Sequence, residues 1–199
     1  MKGLFNLLAL LFSSNALAND TIFVSPSHGL EFYKPLKWHW LSAEENKKNL
    51  EGAKFGDKKA DSLIKKNPSA PLVAITKYKE PYDDLNPSIK VDLKPLGNFQ
   101  GKNPSEIINA FLPFLKKAFP DMKNEIGPMD TTFNGIKAGY FRGLYTMNVP
   151  KIGDFQANTE MWVVPKGSYF FLIGSGTRKD EKSGSRKEVH AILKRMKII

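Results

Sequence analysis

Cysteine is absent from all 199 residues. That excludes disulfide staples, thiol nucleophiles, cysteine metal ligands and a cysteine for lipid attachment. Histidine is scarce: His28, His39 and His190 are the three, and no His-x-His or His-x-x-x-His spacing occurs. Zinc sites take three or four ligands, so no metal or cofactor site is expected. The Gly-x-Ser-x-Gly elbow of a hydrolase nucleophile is missing. Gly174-Ser175-Gly176-Thr177 lacks the lysine and the following helix of a phosphate loop. Its glycines are expected to end a strand and form a bulge or turn. No apolar run reaches the ~20 residues of a membrane-spanning helix, so no transmembrane anchor is expected. Motifs alone assign no catalytic residue, and a Ser/His/acid set would have to be assembled by folding. The adjacent acids Glu44-Glu45 and Asp83-Asp84 read as solvated pairs.

Acidic residues are outnumbered, 20 Asp and Glu against 30 Lys and Arg, for a formal charge of +10. Such an excess favours anionic partners: phospholipid headgroups, polyanionic glycans or an acidic protein face. The first eighteen residues narrow that choice. Met1-Lys2 is a short basic start, Leu4 to Phe12 is apolar apart from Asn6, and Ala16-Leu17-Ala18 is a small-x-small site. These three parts make a secretory signal, too short to span a bilayer. Cleavage is expected after Ala18, which places the product in the periplasm or outside the cell. Nucleic acid is then not an expected partner, although its charge would suit. Residues 19–199 are expected to form one domain, long enough for a core without disulfides. At 41% hydrophobic and 12% aromatic, the composition is globular rather than disordered.

Local patterns give an element order. Thr21–Val24 and Leu30–Tyr33 read as a hairpin around Ser25-Pro26-Ser27-His28-Gly29. Ser42-Ala43-Glu44-Glu45 has the form of a capping box and starts a helix to about Leu50. A second, thin helix is expected from Asp57 to Lys66. Strands follow at Leu72–Tyr78 and Ser88–Leu93. Asn103-Pro104-Ser105-Glu106 opens a helix with Ile107, Ile108, Phe111, Leu112 and Leu115 on one face, and Pro113 is expected to bend it. Asn134-Gly135 is the strongest hairpin signal, joining Met129–Phe133 to Ile136–Met147. Strands at Gln156–Val164 and Ser168–Thr177 follow, the latter with an apolar centre that reads as buried on both faces. Ser185-Arg186-Lys187-Glu188 opens a last helix with Val189, Ile192, Leu193 and Met196 on one face. This order predicts an α+β fold, one antiparallel sheet of about six strands flanked by helices.

Two places carry candidate binding residues. Trp38 and Trp40 alternate with His39, so in a strand both indoles point the same way and could line a ligand groove. Arg186, Lys187, Lys194 and Arg195 lie on or near the polar side of the last helix and form a candidate basic docking face.

Four stretches resemble the Mog1/PsbP-like family. His28-Gly29-Leu30-Glu31-Phe32-Tyr33-Lys34-Pro35-Leu36-Lys37-Trp38 is similar to its opening of glycine, strand, proline and tryptophan. The helix from Pro104 to Ala118 resembles its long mid-chain helix. Phe133-Asn134-Gly135-Ile136-Lys137-Ala138 resembles its turn into a long strand. Gly167-Ser168-Tyr169-Phe170-Phe171-Leu172 with the last helix resembles its close. The resemblance implies an α-β-α sandwich, as in the PsbP proteins of photosystem II and the Ran-binding Mog1 proteins. It implies no catalytic or metal residue, because function does not travel with a fold. The role it implies is that of an exported, non-catalytic binding or accessory protein of the cell envelope. The expected partner is an unidentified envelope protein or an anionic surface. An envelope hydrolase and a carrier of a small apolar ligand at Trp38/Trp40 are the alternatives.

Overall fold

The structure, a computed structural model, describes residues 21–52, 71–149 and 151–199. The expected signal segment and the expected helix from Asp57 to Lys66 lie outside these residues. The elements are β1 (Ile22–Ser25), β2 (Leu30–Tyr33), β3 (His39–Trp40), α1 (Ala43–Gly52), β4 (Val73–Thr76) and β5 (Ser88–Pro95). After a short turn come α2 (Pro104–Ala118), β6 (Lys123–Phe133), β7 (Ile136–Val149), β8 (Gly153–Lys166), β9 (Tyr169–Arg178), α3 (Arg186–Leu193) and β10 (Lys197–Ile198). Among the described residues, seven strands form one sheet in the order β3-β4-β5-β9-β8-β7-β6. A second sheet has the order β1-β2-β10. All pairings are antiparallel. The early hairpin therefore stands apart from the main sheet instead of joining it.

Each face of the main sheet is covered. Val189, Ile192 and Leu193 of α3, with Leu30 and Phe32 of β2, share a core with Val91, Val164, Phe171 and Ile173. On the other face, Ile107, Ile108 and Leu112 of α2 share a core with Phe141, Val163 and Phe170. Successive strand residues point to opposite faces, so neighbours Phe170 and Phe171 serve different cores while both are buried. That is the two-sided burial expected of this strand, and β9 lies inside the sheet between β5 and β8. The α1 helix shares the α2 side. Lys90 alternates with the core residues Ile89 and Val91, and its ammonium donates to Asn46 of α1. Desolvation there holds the lysine below its ordinary pKa. The architecture is α+β in three layers.

Local chemistry sets the helix starts. Ser42 accepts from the Glu45 amide at 3.1 Å while Glu45 accepts from the Ser42 amide at 2.8 Å. Ser185 and Glu188 repeat the exchange at α3. At α2 the Glu106 carboxylate accepts from the Asn103 amide at 2.8 Å, and Pro104 occupies the first turn, where no amide is needed. Satisfying these orphan donors is what makes the capping pattern a start signal.

Several boundaries differ from the sequence reading. β6 begins at Lys123, not Met129. Pro128 is accommodated within it because β6 is an edge strand with register shifts beside the proline, where a missing amide is tolerated. Gly174 and Gly176 do not end a strand or form a bulge. β9 runs through them to Arg178 in unbroken register with β5 and β8, and two full ladders outweigh the weak strand propensity of glycine. α3 ends at Leu193, so buried Met196 comes from the turn beyond it. β10 begins at the next residue, Lys197, and pairs with β2.

The β6–β7 turn has the conformation its sequence demands, with Asn134 at φ 49° and Gly135 at φ 86°. A Cβ at Gly135 would meet nothing within 4 Å, so its cost is conformational alone. Gly135→Val is expected to destabilise by about 1–3 kcal/mol, read as a lower denaturant midpoint.

Candidate functional site

The site is built around α3, whose eight residues present four different sides. Val189, Ile192 and Leu193 enter the core. Arg186 and His190, one turn apart, flank that face on the β8 side. Glu188 flanks it on the other, where its carboxylate accepts from Lys77 Nζ at 2.8 Å. Lys187 and Ala191 face outward with Lys194 and Arg195 of the following turn, and all four are exposed.

On the β8 side α3 rests over a buried acid. Glu160 is only 2% exposed. Antiparallel register sets Arg142, Glu160 and Ser175 side by side across β7, β8 and β9. The Tyr140 hydroxyl donates to one Glu160 oxygen. His190 Nε2 lies 3.1 and 2.9 Å from the two oxygens. Arg186 Nε stands 4.0 Å away and Ser175 Oγ 3.5 Å away. An isolated buried carboxylate costs several kcal/mol, so these partners are what let Glu160 stay inside. Burial, and then the bond to Glu160, hold the Tyr140 phenol well above its ordinary pKa, so it remains a donor through neutral pH.

Serine, histidine and acid thus converge, but in the wrong order for a hydrolase. A triad places histidine between the serine it deprotonates and the acid that orients it. Here the acid stands in the middle, and Ser175 is itself buried in β9. This arrangement fastens α3 to the sheet and does not activate Ser175. Motif reasoning missed Glu160. Its signal was present, since Glu160 shares the inward-facing alternation of Trp162 and Val164, where an acid needs internal partners.

Two cavities flank the segment between β2 and α1. Trp38 does not lie in β3: its amide bonds Pro35 in a turn, and its indole is buried in the core. Trp40 is half-buried and packs on Phe32 with ring centres 6.3 Å apart. Both nevertheless line one cavity of about 310 Å³, together with Leu36 and Leu41. Trp38 and Leu36 also line the adjoining groove of about 510 Å³, whose opposite wall is Ile192 and Arg195. Leu36 is 77% exposed at the junction. Arg195 and Trp38 therefore meet at one groove, while Arg186 is turned toward Glu160 instead.

The basic run from Arg178 to Lys197 is not all surface. Arg178 forks onto Asp84, with both contacts at 2.9 Å, and onto Asp180 at 2.8 and 2.7 Å. Its guanidinium lies 3.9 Å from the centre of the Phe155 ring. Asp84 is thus a structural partner and not half of a solvated pair. Lys197 pairs with Glu31 at 2.8 Å. The Arg178 bonds hold the Asp180 carboxyl down to about 2, from an ordinary 3.8. A depressed carboxyl stabilises the fold above its unfolded pKa and loses that contribution as pH falls through the folded one. Acid unfolding should therefore steepen between about pH 4 and about pH 2, and Asp180→Asn should flatten that part of the curve. The three histidines do not meet, and no cluster of metal-ligating side chains occurs among the described residues. No helix among them is long and apolar enough to cross a membrane.

No protein-family model matches the sequence, and no curated protein matches it. Solved structures do. The solution structure of a cyanobacterial PsbP from Synechocystis matches with TM-score 0.50 at 14% identity, covering 93% of this chain and 95% of that one. The fold is Mog1/PsbP-like. LpqN of Mycobacterium tuberculosis, described as involved in cell envelope biogenesis, matches with TM-score 0.47 at 14% identity, over 84% of this chain and 81% of its own. A Bacteroides thetaiotaomicron protein matches with TM-score 0.42 at 13% identity, over 90% of this chain but 48% of its own. The α-β-α sandwich implied by the four sequence stretches is the architecture found.

Proposed function

We propose that this chain is an exported, non-catalytic accessory protein that docks on an anionic surface of the cell envelope. The observation that carries the reading is the meeting of charge and apolar surface beside α3. Exposed Arg195 lines the groove where Leu36 projects, as does Lys37, and Lys187 and Lys194 are exposed on the outward side of α3 and its following turn. Glu188, the one acid among the described residues lining that groove, is occupied by Lys77. Cations attract anionic headgroups at a distance, and an exposed leucine adds apolar contact once they arrive. The net charge of +10 and the leader pattern of residues 1–18 support the same reading. N-terminal sequencing of the exported protein should begin at Asn19; exported material beginning at Met1 would contradict the export part.

The docking test uses vesicles of phosphatidylglycerol and phosphatidylcholine against phosphatidylcholine alone. Binding is expected only to the anionic vesicles. It should fall as salt rises from about 0.01 M to about 0.15 M, where the Debye length shrinks from about 30 Å to about 8 Å. Lys187→Glu with Arg195→Glu should weaken it without unfolding the protein. Arg186 is left unchanged because a carboxylate there would face Glu160. Undiminished vesicle binding by the folded double variant would reduce the basic face to a solubilising surface.

A further inference from the structure

We propose that the cavity between α3 and the β6–β7 hairpin is a binding site for a small aromatic carboxylate. The cavity holds about 280 Å³ and is lined by Phe133, Tyr140, Trp162 and His190, with Thr131 of β6 and Lys194 at the end of α3. Trp162 is its centre. The rings of Tyr140, His190 and Phe133 lie 5.1, 5.6 and 6.1 Å from it. Such walls offer ring faces and edges to a planar apolar ligand. The volume lies near the lower end of small-molecule pockets, about 300–1,000 Å³, which suits one or two fused rings.

The charge of the ligand follows from what does and does not line the cavity. Glu160 lies behind Tyr140 and His190, its oxygens already contacted by both. Among the described lining residues none is an aspartate or glutamate, and Lys194 is the one lysine or arginine. An amine would meet a repelling ammonium, whereas a carboxylate would gain a partner. The walls are also fixed in advance. Asn134 Nδ2 donates to the carbonyls of Leu193 at 2.9 Å and Met196 at 2.8 Å, which joins the hairpin tip to the end of α3. Tyr140 and His190 are held by the same acid. A site built before its ligand arrives loses less to ordering on binding. It lies on the opposite flank of α3 from the docking groove and does not depend on the docking reading.

The full chain, labelled with ¹⁵N, is titrated separately with indole-3-acetate, its neutral amide and cationic tryptamine. Indole-3-acetate should shift the amides of Thr131, Thr132, Leu193 and Lys194 saturably, with Kd on the order of 1 mM or tighter for a ligand of this size. The amide and the amine should bind at least about fivefold more weakly, the effect of one partly exposed ion pair. Lys194→Gln, an exposed position, should abolish that preference while leaving the fold unchanged. Thr131→Phe, which fills the cavity, should remove the shifts for all three compounds. The proposal is overturned by the absence of saturable shifts, by shifts centred on Leu36 and Trp38 instead, by equal binding of all three compounds, or by a preference that survives Lys194→Gln.

Discussion

Leu193→Ala is expected to cost about 2–5 kcal/mol, while Lys194→Ala, its immediate neighbour, should stay within about ±0.5 kcal/mol. Leu193 is 3% exposed, in the core that α3 shares with the sheet, whereas Lys194 is exposed. Truncating the leucine removes its transfer free energy and leaves a void. The void cannot close easily, because α3 is fastened at several points. Arg186 and His190 hold it to Glu160, and Asn134 holds its last carbonyl, that of Leu193. Those tethers keep the helix from sliding into the space, which puts the expected cost toward the upper part of the range. Denaturant melts of the two variants measure the difference. Equal midpoints would mean that α3 does not dock by this face.

The orientation of α3 was legible because it rests on local chemistry. Ser185 and Glu188 are three residues apart and cap one turn, and Val189, Ile192 and Leu193 repeat at helical spacing. The Asn134-Gly135 turn was legible for the same reason, since two adjacent residues set its geometry. What stayed hidden depends on partners far apart in the chain. Asp84 and Arg178 are 94 residues apart, and no local pattern distinguishes that aspartate from its solvated neighbour Asp83. β10 is two residues long and exists because β2 lies beside it. The extension of β6 back to Lys123, past Pro128, depends on its edge position and its pairing with β7.

The candidate sites divide along the same line. Residue type marked Trp38, Trp40, Arg186, Lys187, Lys194 and Arg195 for attention, but their grouping is tertiary. Arg195 and Trp38 share a groove although the sequence placed them in two separate proposals. Arg186 leaves the basic face for Glu160. Trp162, which sequence reading passed over as an ordinary strand residue, stands at the aromatic cavity because Tyr140 is its cross-strand partner on β7 and His190 reaches it from α3.

Phe170→Ala and Phe171→Ala should each cost about 3–5 kcal/mol, and they should loosen different layers. The side chains are adjacent in sequence, 1% and 0% exposed, and assigned to opposite cores. Phe170 meets Phe99 and Phe111 at ring distances of 6.3 Å, beneath α2. Phe171 meets Tyr169 at 5.7 Å, on the side of α3 and the small sheet. Removing either ring opens a void on one face while β9 keeps its ladders to β5 and β8. Native-state hydrogen exchange reads this directly, because local openings report the stability of the element that opens. Phe170→Ala should speed exchange chiefly in α2, and Phe171→Ala chiefly in α3 and β2. The tiers are separated by the sheet but their rings are neighbours, so the double variant is the decisive member of the set. Additive losses would mean that each face packs independently across the sheet. A loss well short of additive would mean that one void already lets the backbone of β9 shift and relax the other. Matching exchange patterns from the two single variants would contradict the assignment of Phe170 and Phe171 to opposite faces.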